Sequence, residues 1–274
     1  MTQYNPLQKY YRQPKVFISL PSKGLYYESG VFQGDYNSVP VFAMSGMDEI
    51  IFKTPDALYS GEATSKVVES CVPFIKQAGK IPSIDIDALI VAIRIATYGE
   101  VLTLDQTCPS CGSENTYEIQ LPRILDYFST LKFENNIQIN DEISLRIRPL
   151  NYTETTHYSI ENFKLQKKLA QIVDLSVEEQ QEHIDEIYKD LADLQLDFFL
   201  MSIESVQLPD TSITDKQVIS DWLKNSERDV FATIKQKIEG NKDSWQIPKQ
   251  PVSCGSCQHN YGIDILLDQS SFFA

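Results

Sequence analysis

Two short cysteine pairs, far apart in the chain, most constrain how this sequence can fold. Cys108 and Cys111 enclose Pro-Ser, and Cys254 and Cys257 enclose Gly-Ser. A run of residues that favour β-strands follows each pair. Because a two-residue spacer allows a tight turn to direct both sulfurs at one point, each pair has the form of a metal knuckle. The pattern predicts that the two knuckles meet in space and join the first half of the chain to its end.

Four thiolates are the tetrahedral ligand set that Zn²⁺ favours. We therefore predict that Cys108, Cys111, Cys254 and Cys257 bind one zinc ion. The ion would be structural, because four thiolates leave no coordination position for a catalytic water. Ordinary zinc ribbons separate their two pairs by about 15–20 residues. The much longer gap here predicts a split zinc ribbon with a subdomain inserted between its knuckles.

Other interpretations of these cysteines remain open at this stage. The two pairs could be unrelated reduced thiols, or one could be a redox site, although neither lies in the βαβ pattern typical of thioredoxin-like motifs. His259 could replace one thiolate, but the four cysteines already complete the usual shell. The fifth cysteine, Cys71, lies in an apolar helical segment, and we predict a buried, inert thiol.

Charge and composition exclude several classes of function. The formal charge is −14, from 24 basic and 38 acidic residues, which argues against coating nucleic acid or binding an anionic membrane. The N-terminus has no apolar signal region, and no apolar run approaches the roughly 18 residues of a membrane span. With no secretory signal and an odd cysteine count of 5, the expected compartment is a reducing cytoplasm.

The pattern along the chain predicts an α+β fold. Residues 1–14 are predicted as a flexible arm, and residues 15–121 as an N-terminal α+β domain that carries the first knuckle. This domain opens with a small antiparallel β element, followed by helices that begin near Ser45, Thr54 and Thr64. The clearest helix spans 83–98, with one apolar face.

Three charged residues of the 83–98 helix have specific expectations. Asp85 and Asp87 suit the positive N-terminus of the helix. Arg94 is expected to be solvated or ion-paired, with binding to a partner as the alternative.

Residues 122–250 are predicted as a mainly helical insert. A hairpin turns at 140–142, helices begin near 153, 176 and 214, and the last helix stops at Gly240 and Asn241. An apolar helical stripe continues from Leu191 towards Val206. Residues 251–274 form the second knuckle and a C-terminal strand, and the terminal Phe272 and Phe273 are expected to pack.

No motif for catalysis is present in the sequence. The chain has no phosphate-binding glycine loop, no nucleophile elbow and no zinc-protease motif. His157 and His183 lie in polar helical segments and are predicted to be a hydrogen-bonding residue and a surface residue. We therefore predict that the protein is not an enzyme.

Several runs, taken together and in order, resemble the baseplate hub and assembly protein family of T4-like contractile-tailed bacteriophages. The runs are FISLPSKGLYY at 17–27, VPVFAMSGMDE at 39–49, VVESCVP at 67–73, DIDALIVAIRIATYGE at 85–100 and CPSCG at 108–112. The resemblance covers roughly the first 120 residues and the terminal knuckle, but not the insert.

This resemblance implies a non-enzymatic phage tail protein, either a structural component or an assembly factor of the baseplate hub. It further implies synthesis in the host cytoplasm, with other tail and baseplate hub proteins as partners. Nucleic acid and membrane are not expected as partners because of the acidic charge. The resemblance implies no particular oligomeric state and leaves open whether the protein stays in the virion.

Two alternatives come from other functional classes. A zinc-ribbon adaptor in a nucleic-acid-processing complex would place Lys and Arg around the knuckles, whereas Ser, Asn, Gln and Glu surround them here. A thiol redox protein would have titratable thiols in place of tightly bound zinc.

Overall fold

The computed structural model describes residues 6–52, 61–171, 177–267 and 272–273. These residues belong to two compact units, which we call the cysteine unit (Met1–Leu131 with Gln246–Ala274) and the central unit (Lys132–Trp245). Both units contain helices and strands, which confirms the predicted α+β class. Within the described ranges, no helix is both long enough and apolar enough to cross a membrane.

The elements are numbered in chain order. The helices are α1 (Gly46–Phe52), α2 (Glu62–Cys71), α3 (Ser83–Tyr98), α4 (Leu121–Thr130), α5 (Tyr152–Gln171), α6 (Val177–Ser202), α7 (Lys216–Asn225) and α8 (Arg228–Ser244). The strands are β1 (Pro14–Ile18), β2 (Val39–Phe42), β3 (Val101–Thr107), β4 (Glu114–Gln120), β5 (Asn136–Gln138), β6 (Ser144–Ile147), β7 (Ile203–Gln207), β8 (Ser212–Ile213), β9 (Gln250–Ser253) and β10 (Asn260–Ile263). Short 3₁₀ helices occupy Gln8–Tyr10 and Ala78–Lys80.

Helix α3 is the centre of the cysteine unit. Its bounds are those predicted, but it is buried on nearly all sides rather than on one apolar face. The antiparallel strands β1 and β2, whose pairing matches the predicted β element, pack against it together with α2 and α4. Because the surrounding layers cover both sides, the apolar residues outside the predicted stripe are also buried. These include Ile84, Ala88, Val91 and Ala92.

Helix α1 begins next to Ser45, as predicted, and Ser45 and Asp48 cap this end. The Ser45 backbone N–H and hydroxyl both donate to the Asp48 carboxylate at 2.7 Å, and the Asp48 N–H donates to the Ser45 hydroxyl at 3.3 Å. This reciprocal pair satisfies N–H groups that have no partner inside the helix. The helix starts expected near Thr54 and Ser176 lie outside the described residues.

Arg12 attaches the N-terminal end of the chain to the body of the cysteine unit. Its guanidinium donates to the Ala43 carbonyl at 2.6 Å, to the Asp48 carboxylate at 3.0 Å and to the Ser70 carbonyl and hydroxyl at 2.7 Å. Asp48 is 3% exposed, so Arg12 supplies the countercharge to a buried carboxylate. The neighbouring Tyr10 remains 73% exposed.

Asp85 does not have the role predicted from its place in the first turn of α3. It is fully buried, and its carboxylate accepts hydrogen bonds from the Ser22 N–H and the Tyr27 hydroxyl, both at 2.9 Å. Burial raises the pKa of Asp85 to about 6, against the opposing effect of these hydrogen bonds. Burial, together with the nearby charge of Asp85, also raises the pKa of Asp87 to about 7. These carboxyl groups therefore oppose folding once they ionise.

Asp85→Asn is expected to remove part of the pH dependence of stability. Because the folded-state pKa is raised, the folded state binds more protons than the unfolded state between about pH 4 and pH 6, and stability falls as pH rises through this window. Relative to the Asp85→Asn variant, the wild-type protein should lose up to about 3 kcal/mol across it. Urea denaturation of both proteins at matched pH values measures this difference. A difference that is constant with pH would contradict the assignment.

Arg94 is buried rather than solvated, contrary to the expectation from the sequence, and within the described ranges it forms no ion pair. It is 7% exposed, and its Nε donates to the Phe272 carbonyl at 2.8 Å. Its guanidinium also lies over the Tyr98 ring, 4.8 Å from the ring centroid. The partner is a main-chain carbonyl distant in sequence, which no local pattern reveals. Phe272 is 1% exposed, and the Phe273 ring lies 5.0 Å from that of Phe52, so the predicted packing of the terminal phenylalanines is confirmed.

The central unit is built on a four-stranded antiparallel sheet in the order β5-β6-β7-β8. The predicted hairpin is confirmed: Ile137 pairs with Leu145, and the Asn140 side chain accepts hydrogen bonds from two N–H groups of the turn. Helices α5 and α6 pack on each other. The core draws on the sheet and on α6, α7 and α8, and consists of Ile137, Leu145, Ile147, Leu150, Phe198, Phe199, Ile203, Val206, Ile219, Leu223, Ile234 and Ile238.

Two element boundaries in the central unit differ from the prediction. The helical stripe does not continue to Val206, because α6 ends at Ser202 and β7 begins at Ile203, where pairing with β6 competes successfully with the helix. The last helix does not stop at Gly240 but continues to Ser244. The Asn241 side chain holds this extension by accepting from the Glu134 N–H at 3.2 Å and donating to the Glu134 carbonyl at 2.8 Å.

Candidate metal centre

The two cysteine pairs lie in the turns of two β-hairpins of the cysteine unit. Strands β3 and β4 pair along their whole length, and the first cysteine pair lies in the turn between them. Strands β9 and β10 pair in the same antiparallel manner, and the second pair lies in their turn. Because a hairpin turn directs side chains of its tip to one side, each hairpin presents two sulfurs together.

The structure brings all four predicted cysteines together. The sulfurs of Cys108 and Cys257 are 3.8 Å apart, those of Cys111 and Cys254 are 3.7 Å apart, and all four lie within 4.8 Å of one another. A tetrahedron of sulfurs at the usual Zn–S distance of about 2.3 Å has edges of about 3.8 Å. A disulfide would need about 2.05 Å, and all four are free thiols. The cluster can therefore hold a metal ion.

The two knuckle turns have the same backbone geometry. The Gly112 N–H donates to the Cys108 carbonyl at 3.0 Å, and the Gln258 N–H donates to the Cys254 carbonyl at 3.0 Å. The residue after each pair is left-handed, with φ of 72° at Gly112 and 60° at Gln258. Glycine adopts this conformation without cost, whereas glutamine is strained by contact of its Cβ with the backbone. The second knuckle therefore carries strain that the first avoids.

Exchanging the residue types at these two equivalent positions should change the free energy of unfolding in opposite directions. Gly112→Ala is expected to lower the free energy of unfolding by about 1 kcal/mol, and Gln258→Gly to raise it by a similar amount. A Cβ at Gly112 meets no atom within 4 Å, so the effect comes from the backbone alone. Gly46→Ala is a matched control, because its Cβ also meets open space and its φ is not left-handed. Urea denaturation measures the free energy of unfolding of all three variants. If Gln258→Gly destabilises the protein, the interpretation that Gln258 is strained is wrong.

Ser113 and Asn115, on the first hairpin, contact the second knuckle. The Ser113 hydroxyl lies 3.1 Å from the Cys111 sulfur and 3.2 Å from the Cys254 sulfur, and its one hydrogen can be donated to either. The Asn115 side-chain oxygen accepts from the Gly255 N–H at 3.0 Å, and its nitrogen lies 3.6 Å from the Cys254 sulfur. Donors of this kind stabilise thiolates and orient them for a metal.

The thiols of the cluster do not ionise alike. The Ser113 hydroxyl lowers the pKa of Cys254 to about 5 and also lowers the pKa of Cys111. A backbone hydrogen bond from His259 lowers the pKa of Cys257, but the surrounding thiols outweigh it and raise that pKa to about 11. Negative charges this close repel one another, so a dication is the natural countercharge for four thiolates.

A tyrosine pair joins the two hairpins below the knuckles. The Tyr117 and Tyr261 hydroxyls are 3.1 Å apart, and their rings meet edge to face with centroids 6.1 Å apart. The Tyr117 hydroxyl also lies 3.2 Å from the Ser253 carbonyl, to which it can donate. Sequence reasoning missed Ser113, Asn115 and Tyr117. Their only sequence signal is their place just after a cysteine pair.

The remaining candidate residues lie outside the cysteine cluster. The His259 ring stacks on Tyr261, with centroids 6.1 Å apart, and does not belong to the four-sulfur group. Cys71 is fully buried in α2, as predicted, and burial raises its pKa to about 12. His157 and His183 are exposed residues of α5 and α6 in the central unit.

Fold and site together define an α+β protein with two cysteine knuckles that meet at one four-sulfur cluster. The family model described as "T4 bacteriophage base plate protein" matches residues 48–274, and the chain belongs to this family. The matched range contains both knuckles and also the central unit, which the sequence resemblance did not reach. Membership suggests a structural protein of the phage tail that contacts other baseplate proteins. No curated protein and no solved structure matches the chain.

Proposed function

We propose that this chain is a non-enzymatic component or assembly factor of the phage baseplate hub, stabilised by a structural zinc ion. The observation that carries the proposal is the family match over residues 48–274. The ordered runs in the first 120 or so residues, which resemble hub and assembly proteins, support the more specific proposal of a role in the hub.

Zinc is the metal that best fits the donor set. Four soft thiolates in a tetrahedral arrangement favour Zn²⁺ or iron, whereas Mg²⁺ and Ca²⁺ prefer oxygen ligands. The sulfur separations of 3.7 Å and 3.8 Å agree with the tetrahedral edge expected at a Zn–S distance of about 2.3 Å. Cys108, Cys111, Cys254 and Cys257 would each supply one bond, and when bound the ion would cross-link the two hairpins.

The zinc would hold together parts of the chain that are distant in sequence. We propose the order of parts expected from the sequence: an arm at 1–14, an α+β domain at 15–121, an insert at 122–250 and the closing knuckle at 251–274. Helix α4, at the start of this insert, packs on α3 and belongs to the cysteine unit. The compact central unit, Lys132–Trp245, supports an insert between the knuckles. A metal ion that joins the chain before the insert to the chain after it would keep the two hairpins paired, regardless of what the insert contacts.

A structural role agrees with the chemistry of the cluster. Four thiolates would close the metal's coordination shell, so a substrate or water would have no ligand position. The sequence carries no catalytic motif of the common hydrolases or nucleotide-binding enzymes. We therefore favour assembly and contact with other proteins over catalysis.

The charge of −14 suits a subunit that is made in the host cytoplasm before it joins the tail. Like-charged copies repel one another, which limits premature self-association. The proposed partners are other tail and baseplate hub proteins, without nucleic acid or membrane.

Co-purification from infected cells tests this proposal. A tagged chain should isolate baseplate hub proteins, identified by mass spectrometry, and mature particles should then be analysed in the same way. A structural component is expected in both samples, and an assembly factor only in the intermediates. Absence from both baseplate intermediates and mature particles would refute the hub role.

A further inference from the structure

The central unit has an open apolar cleft at one end of its sheet. The cleft has a volume of about 300 Å³ and is lined by apolar side chains of the β6–β8 region and of α7. Val206 and Ile219 are 5% and 1% exposed and form part of its floor, whereas Val218 is 49% exposed at its rim. Trp222 also lines it. The cleft is therefore a water-exposed extension of the hydrophobic core.

Acidic residues lie close in sequence to the residues that line the cleft, and we call them the acidic rim. Asp141 and Glu142 directly precede the lining residue Ile143, Asp210 lies in the turn between β7 and β8, and Asp221 is adjacent to Trp222. All four carboxylates are on exposed residues. Within the described part of the chain, none of the four takes part in an ion pair. Negative charge around an apolar surface favours an occupant that carries positive charge around an apolar residue.

The two nearby lysines do not neutralise this rim. The Lys216 ammonium donates to the Leu200 carbonyl at 2.6 Å and also to the Ile203 carbonyl, and burial lowers its pKa. Lys224 lies on the opposite side of α7 from Val218 and Trp222, because the helix advances about 100° per residue. The charged groups near the lining that remain available to a bound segment are therefore the carboxylates of the acidic rim.

We propose that this cleft binds a segment of another baseplate protein in which an apolar side chain is flanked by Lys or Arg. The proposal rests on the proposed function and identifies the surface through which the chain makes that contact. The apolar residue enters between Val218, Trp222 and the sheet, and the flanking cations meet the acidic rim. A second copy of this chain is a poor occupant, because its formal charge of −14 opposes the same acidic rim.

Peptide binding tests the cleft directly. The chain has 2 tryptophans, Trp222 and Trp245, so a Trp245→Phe background leaves Trp222 as a single fluorescent reporter inside the cleft. The probes are overlapping synthetic peptides that cover the other baseplate proteins of the same virus. Peptides with an apolar residue between cations are expected to change Trp222 fluorescence, with affinity that falls as salt rises.

Val218→Lys should weaken this binding at least tenfold, because it places a charged side chain at the apolar rim and repels a cationic segment. Tyr188→Lys is the matched control: Tyr188 is 58% exposed on α6 and does not line the cleft, so binding should be unchanged. Thermal melting of both variants establishes that each is folded. Equal binding of peptides with acidic flanks, or undiminished binding by Val218→Lys, would overturn the proposal.

The same variant separates failure of the cleft from failure of the hub role. In infected cells, Val218→Lys should reduce recovery of the tagged chain with baseplate proteins relative to Tyr188→Lys. If both variants co-purify with baseplate proteins equally well, the hub role stands and the cleft proposal is wrong. If the wild-type chain itself does not co-purify, the hub role is wrong, and peptide binding still decides the cleft.

Discussion

Replacing Cys254 with serine is expected to release zinc and to lower the free energy of unfolding by several kcal/mol. The Cys254 sulfur is buried and lies 3.7 Å from that of Cys111, so its loss leaves three thiolates around the metal position. Metal binding is coupled to folding, and the stabilisation that the ion provides is lost with it. Zinc content by elemental analysis and melting temperature by calorimetry measure both effects.

The remaining cysteines supply the controls for this experiment. Cys108→Ser should have the same effect as Cys254→Ser, because both residues belong to the four-sulfur group. Cys71→Ala removes a buried thiol outside the cluster and should leave zinc content unchanged. Unaltered zinc content and melting in both Ser variants would contradict the proposed ligand set.

Replacing Phe199 with alanine is expected to lower the free energy of unfolding by about 3–5 kcal/mol. Phe199 is 0% exposed in the core of the central unit, and its ring lies 5.9 Å from that of Phe198 and 5.5 Å from that of Phe231. Truncation loses the burial of an aromatic side chain and leaves a cavity that its neighbours fill only in part. Urea denaturation followed by circular dichroism measures the loss.

Phe163→Ala is the matched control for Phe199→Ala. It is the same chemical change at a residue of α5 that is 56% exposed, so we expect a much smaller loss, below about 1 kcal/mol. Phe199→Ala should also retain its zinc, because the four cysteines lie in the cysteine unit. Equal destabilisation by the two variants would show that the core of the central unit is not where the structure places it.

Strong local signals allowed parts of this fold to be predicted from the sequence. The bounds of α3 follow from a dense apolar pattern that ends at Gly99, whose φ of 98° suits glycine. The hairpin around Asn140 follows from alternating strands and an Asn-Asp turn. The meeting of the cysteine pairs follows from metal chemistry, which requires four ligands at one point.

Contacts between distant residues account for what the sequence did not predict. In the sequence, Asp85 has the position of a typical exposed acidic residue in the first turn of a helix. Its role as a buried acceptor depends on the approach of the Ser22 backbone. Val206 fits the helical stripe of α6, and only pairing with β6 makes its segment a strand. Such effects depend on tertiary neighbours rather than on propensity.

The four clustered cysteines were predicted from the sequence, but the residues that surround them were not. The cysteine spacing identified all four sulfurs, whereas Ser113 and Asn115 belong to common polar residue types that give no distinct signal. Their importance comes from the approach of the second hairpin, where Asn115 accepts from the Gly255 N–H at 3.0 Å. The cleft of the central unit is likewise assembled from three separate stretches of sequence.

X-ray absorption spectroscopy of the purified protein at the zinc edge determines which atoms surround the metal and at what distance. We predict one zinc per chain, with four sulfur neighbours at about 2.3 Å and no nitrogen or oxygen neighbour. A first shell that contains nitrogen or oxygen, or purified protein that does not retain zinc, would contradict this prediction.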